Sequence, residues 1–103
     1  MSPHGRIAFR RIAEKAAAHS ELIVTRWLPD GRREAGEWVS RNPKRADKRL
    51  GSFKINLKTG AWGDFATDDR GRDLISLAAF LFDIKQRDAA IRVAEMLGIF
   101  PYE

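Results

Sequence analysis

A chain of 103 residues has room for one modest hydrophobic core. Apolar residues make up 44% and charged residues 32%, a globular rather than a disordered balance. The longest apolar stretch, Leu74 to Ile84, is interrupted by Ser76 and Asp83 and is too short to cross a bilayer.

Cysteine is absent, so no disulfide can form, and the opening MSPHGRIAFRR lacks the apolar run of a secretory leader. A cytoplasmic setting, with no membrane partner, is the expectation. His4 and His19 have no acidic cluster beside them, so neither a metal nor any other cofactor is expected.

In chain order, Ile7 to about Leu28 reads as a helix. Ile7, Ile12, Ala16, His19, Ile23 and Trp27 fall near one face. A break at His19–Ser20 is the open alternative, with Ser20 capping a second short helix. Pro29-Asp30-Gly31 ends this part with turn-forming residues. Glu37 to Arg41 reads as a short strand that Asn42-Pro43 terminates, and Pro43 to Leu50 as a basic loop. Two further strands, Ser52–Leu57 and Ala61–Ala66, are joined across Lys58-Thr59-Gly60.

That joint sets the expected register. A three-residue hairpin loop places Leu57 opposite Ala61, Asn56 opposite Trp62 and Phe53 opposite Phe65. Phe53, Ile55, Leu57 and Phe65 then face the core, and Lys54, Asn56, Trp62 and Asp64 face outward. A two-residue Thr59-Gly60 turn would instead bury Trp62, so both versions stand.

Asp73 is placed to cap a helix whose Leu74, Leu77, Ala78 and Leu81 form a stripe at i, i+3, i+4 and i+7. A last helix from about Arg87 to Leu97 turns Ala90, Val93, Ala94 and Leu97 inward. Gly98 closes it, with Ile99 folding back. The expected fold is α+β, a single domain over 1–103. Residues 1–35 form the N-terminal helix and turn, 36–66 a small antiparallel sheet of about three strands, and 67–103 the helical C-terminal part.

The net charge of +5 is uneven. Between Arg41 and Lys58 the one acid, Asp47, faces Arg41, Lys44, Arg45, Lys48, Arg49, Lys54 and Lys58. Clustered cations create a local field that attracts phosphate. No serine has a histidine to activate it, no GxSxG elbow or phosphate loop occurs, and within the acidic run Asp64, Asp68, Asp69 and Asp73, which could in principle hold Mg²⁺, Asp68-Asp69 read as a turn and Asp73 as a helix cap. A catalytic role is therefore not expected. Single-stranded nucleic acid is held by a positive groove together with aromatic faces for its bases. The candidate interface is thus Arg41, Lys44, Arg45, Lys48, Arg49, Lys54 and Lys58 for phosphates, Trp62 and Trp38 for stacking, and Asn56 for a base edge.

The order EWVSRNP, a basic loop, GSFKINLKTGAWGDF, RGRDLISLAAFL and a helix ending AEMLGI resembles the N-terminal zinc-ribbon module of bacterial and phage-type DNA primases, in a cysteine-free version. The resemblance covers about Gly36 to Ile99. Ser52-Phe53, Asn56, Gly60, Gly71, Asp73-Leu74-Ile75 and Ala94 to Ile99 carry it. Asn42-Pro43 stands where that family has Cys-Pro, Arg45 where a His would fall, and Arg72 in place of a glycine. The resemblance implies a ribbon without zinc, contact with single-stranded template DNA, a role in DNA replication, and a toprim primase or helicase domain as partner. A protein-interaction domain that docks such a replication enzyme is the alternative.

Overall fold

The computed structural model describes residues 5–44 and 51–103. The first helical part is two helices, α1 (Phe9–Ala18) and α2 (Ser20–Trp27), broken at His19. Ile12, Ala16, Ile23 and Val24 are buried, while His19 is exposed at the break. Ser20 does not cap the second helix. It is the first helical residue, and its hydroxyl donates instead to the carbonyl of Leu57 in the sheet. The break lets α2 leave the axis of α1 and brings Trp27 edge-on to Phe82, with ring centroids 5.6 Å apart.

The described strands form one antiparallel meander in chain order: β1 (Arg32–Glu34), β2 (Glu37–Ser40), β3 (Phe53–Asn56), β4 (Trp62–Asp64) and β5 (Arg70–Gly71). The three expected strands are its centre, and β1 and β5 are added at the edges. The hairpin that creates β1 turns at Ala35-Gly36, both with positive φ (48° and 82°), the two-residue turn that matches strand twist. Alanine is a poor marker for that turn, which is why this strand escapes a reading of the sequence.

After the sheet come α3 (Leu74–Phe82) and α4 (Gln86–Leu97). Asp73 caps α3 by accepting from the amide of Ser76 at 2.8 Å, and the Ser76 side chain reaches back to complete a capping box. Leu74, Ile75, Leu77 and Ala78 are buried. The α4 helix buries Ala90, Val93 and Ala94 and ends with Gly98 at φ 69°. The amide of Ile99 donates to Ala94 at 3.0 Å and that of Gly98 to Glu95 at 3.1 Å, the paired bonds of a Schellman close. Helices α1, α3 and α4 pack on one another, and their apolar sides meet Phe53 and Ile55 of β3 in the core.

The two ends of the described chain also pair. Ile7 and Tyr102 form an antiparallel bridge, and Arg11 donates to the carbonyls of Phe100 and Tyr102 at 2.8 and 2.7 Å. No helix among the described residues is long and apolar enough to cross a membrane.

Candidate nucleic-acid interface

The β3–β4 register differs from both versions considered for the sequence. Phe53 pairs with Asp64, Lys54 with Gly63 and Ile55 with Trp62, so the hairpin closes on Asn56 and Ala61 through the four residues Leu57 to Gly60. Asn56 builds that loop. Its Oδ1 accepts from the amides of Lys58 (2.8 Å) and Thr59 (3.0 Å), and its carbonyl accepts from Gly60 at 2.8 Å. Because side chains alternate with a period of two, one residue of slip exchanges the two faces of β4. Trp62 and Asp64 point inward, and Gly63 and Phe65 outward.

Trp62 is therefore 7% exposed rather than a surface platform. Its ring lies 4.9 Å from Phe80 and 5.9 Å from Phe53 between centroids, and its Nε1–H donates to the Ser76 hydroxyl at 3.0 Å. A Cβ on Gly71 would fall 2.4 Å from that Nε1 and 2.2 Å from the Ser76 oxygen, so only glycine leaves room for the indole. Trp38 is treated alike: 9% exposed, its Nε1–H donating to the Leu28 carbonyl at 3.0 Å, its edge against Gly31. Both stacking assignments are corrected. Each buried tryptophan removes its large apolar area from water and keeps its N–H bonded to a protein acceptor.

Asp64 is also inside. It accepts from Asn42 Nδ2 at 2.9 Å and from the Ala66 amide at 2.9 Å, while Asn42 Oδ1 accepts from the Lys44 amide at 2.8 Å. This buried amide–carboxylate contact ties the end of β2 to β4. Two other acids of that region are engaged locally, Asp69 accepting from the Thr67 hydroxyl and Asp73 at the cap.

The proposed phosphate contacts divide. Arg45, Lys48 and Arg49 lie outside the described residues. Lys44 turns toward the helices, ion-paired with Asp83 and with its nitrogen 5.5 Å above the Phe80 ring. Arg41 is exposed beside a cleft of about 200 Å³ that Trp27 and Pro43 help line, and Lys58 is exposed in the hairpin loop.

Lys54 and Asn56 do share the outer face of the sheet, in company the sequence did not suggest. The strand pairings set Arg32, Val39, Lys54, Gly63 and Arg70 side by side in a single row across all five strands. Neighbouring strands lie about 4.8 Å apart, so Lys54 and Arg70 stand about 10 Å from each other across the bare backbone of Gly63. Two residues along, Glu34, Glu37 and Asn56 form the next row. On the other side of the cationic row stands Phe65, 78% exposed, with the Lys54 nitrogen 5.5 Å from its ring centroid. Glu37, Lys54, Asn56, Gly63, Phe65 and Arg70 line a shallow concavity of about 300 Å³.

This face is polarised. One row carries cations, the next carries Glu34 and Glu37, and Arg32 is ion-paired with Glu34. A polyanion is drawn along the cationic row and repelled from the acidic one, which leaves the Phe65 side as its open margin. Arg32, Phe65 and Arg70 were missed because their places depend on the register and on the two added strands. The one local signal was Asn56, an Asx residue before two free amides at the mouth of a loop. Compared with protein-family models and with curated proteins, the chain matches none.

Proposed function

We propose that this chain is a non-catalytic nucleic-acid-binding module of a primase-like replication protein, that it works in the cytoplasm, and that it prefers single-stranded DNA. The observation that carries the reading is the row Arg32–Lys54–Arg70 across the outer face of the sheet, with Val39 buried between Arg32 and Lys54 and an exposed aromatic ring at its margin. Cations spaced along a groove suit the phosphates of a strand, and an accessible ring suits unpaired bases. Arg41 and Lys58 add charge at the ends of β2 and of the β3–β4 hairpin. Arg45, Lys48 and Arg49 extend the basic sequence between β2 and β3.

The resemblance to a cysteine-free primase ribbon supports the same reading. Asn42, at the place of the family's first cysteine, is buried and bonded to Asp64, a link from the end of β2 across to β4 that needs no metal. A toprim primase or helicase domain is the partner this reading names.

The test is a titration with single-stranded and duplex DNA over a range of salt, for the parent protein and for Arg32, Lys54 and Arg70 changed together to Ala. Each lost phosphate contact flattens the plot of log affinity against log salt by about 0.7 for a single strand. An unchanged affinity and slope in the triple variant would remove the outer face from the interface. A parent protein that binds no DNA at low salt overturns the reading and leaves docking to a replication enzyme as the alternative.

A further inference from the structure

With both Trp38 and Trp62 enclosed, the outer face has one large ring left, and its surroundings are specific. Phe65 follows directly on β4, its amide donating to the Ser52 carbonyl at 2.8 Å, so its backbone is held by the ladder and not by a free loop. The period of two that turns Trp62 and Asp64 inward obliges Phe65 outward. It is 78% exposed, the most exposed of the large apolar side chains in the described structure. The Lys54 nitrogen stands 5.5 Å from the ring centroid, an attractive cation–π placement that keeps a phosphate-binding charge beside an aromatic face. Two residues back along the strand, Gly63 raises no side chain on this face, so the concavity beside the ring is open over that position and walled by Lys54, Asn56 and Arg70.

A lone exposed phenylalanine is ordinary. A backbone-anchored ring beside a row of cations and a side-chain-free strip is a place for a flat, anionic chain. From this we infer that Phe65 is the stacking residue for an unpaired base, with Lys54 and Arg70 holding the phosphates on either side of that nucleotide. The Asn56 side chain, whose Oδ1 is engaged by the Lys58 and Thr59 amides, offers its Nδ2 donor at the far side of the concavity. This assignment rests on the nucleic-acid reading and gives it a residue for its single-strand preference. Duplex DNA presents phosphates to the row but no free base face to the ring.

The experiment separates bases from phosphates. A labelled oligothymidylate and an abasic strand of equal length are titrated against the parent protein, Phe65→Ala and Phe65→Trp. The parent is expected to favour the strand with bases, and Phe65→Ala to lose that preference while binding the abasic strand as the parent does. The loss is about 5- to 150-fold for one stacked base. Phe65→Trp should keep the preference and show fluorescence quenching by oligothymidylate and none by the abasic strand. Equal binding of both strands by the parent overturns the stacking assignment and leaves the charge reading standing. A preference that survives Phe65→Ala assigns the stacking elsewhere. Failure of the parent to bind either strand overturns the nucleic-acid reading itself. Because the ring is exposed, an unchanged unfolding midpoint for Phe65→Ala is expected, and Phe65→Trp supplies the answer if that variant does not fold.

Discussion

The two faces of the sheet are built on opposite principles. The inner face holds Trp38 and Trp62, each with its indole N–H bonded and its edge set against a glycine, Gly31 and Gly71. The outer face holds long cations beside a buried Val39, a bare glycine and one exposed ring. Large aromatic area is thus spent on stability on one side, whereas the other side leaves its charged and aromatic groups accessible. The lesson is that tryptophan beside lysine in a sequence does not identify a binding surface. In a strand, the next residue along stands on the opposite side.

If this division is sound, substitutions should sort by face. The largest effect belongs to Trp62→Ala, which removes a ring packed on Phe53 and Phe80 and empties the space between β4 and α3. Equilibrium urea unfolding should show a loss of about 3–5 kcal/mol. A loss under 1 kcal/mol would mean that Trp62 is not enclosed and that the register is wrong.

Asn42→Ala comes next. It leaves the buried Asp64 carboxylate without the Nδ2 donor and should cost about 1–3 kcal/mol. Since the side chains of Asn42 and Asp64 are buried and not on the outer face, DNA affinity measured on the folded variant should stay at the parent value.

A smaller effect, and a gain, is expected at the hairpin tip that lies beyond both faces. Ala35 holds a left-handed φ of 48°, and Asn-Gly suits this turn better than Ala-Gly. Ala35→Asn should raise stability by about 0.5–1 kcal/mol in the same unfolding experiment, because the short polar side chain of Asn can hydrogen-bond the local backbone and offset part of the cost of a left-handed φ.

The smallest change in stability should come from the outer face. Lys54→Ala with Arg70→Ala alters side chains that make no ion pair among the described residues, so unfolding should move by no more than about 0.5 kcal/mol. The same protein should bind single strands more weakly and with a flatter salt dependence. Stability lost without any change in binding would reverse the roles given to the two faces.

Much of the architecture was readable from local pattern. The apolar spacing from Leu74 to Ala78, the Asp73 cap, the Gly98 close and the three central strands each depend on residues close together in the chain. Their physical causes, helix periodicity, orphan amides and left-handed glycine, act over a single turn. The α+β class follows from these elements alone. The break at His19–Ser20 was open in the sequence because nothing local compels it. The side chain of Ser20 is bonded to Leu57, a partner in the sheet.

What only the tertiary structure decided was the identity of the outward-facing residues. The hairpin loop between β3 and β4 admits three, two or four residues on local grounds: a loop of three turns Phe65 inward, whereas a loop of two, the alternative read from the sequence, or of four turns Trp62 inward. The four-residue loop prevails in company with contacts distant in sequence: the Trp62 indole on Ser76 and in the slot of Gly71, and Asp64 on Asn42. Burying Trp62 rather than Phe65 encloses the larger ring and gives its N–H a partner. The same packing adds β1 and β5 at the edges, which completes the row from Arg32 to Arg70. By itself the sequence determined that there would be helices, a ribbon and an excess of cations. Packing determined on which side of the ribbon each of them stands, because a sheet has two faces and a shift of one residue exchanges them.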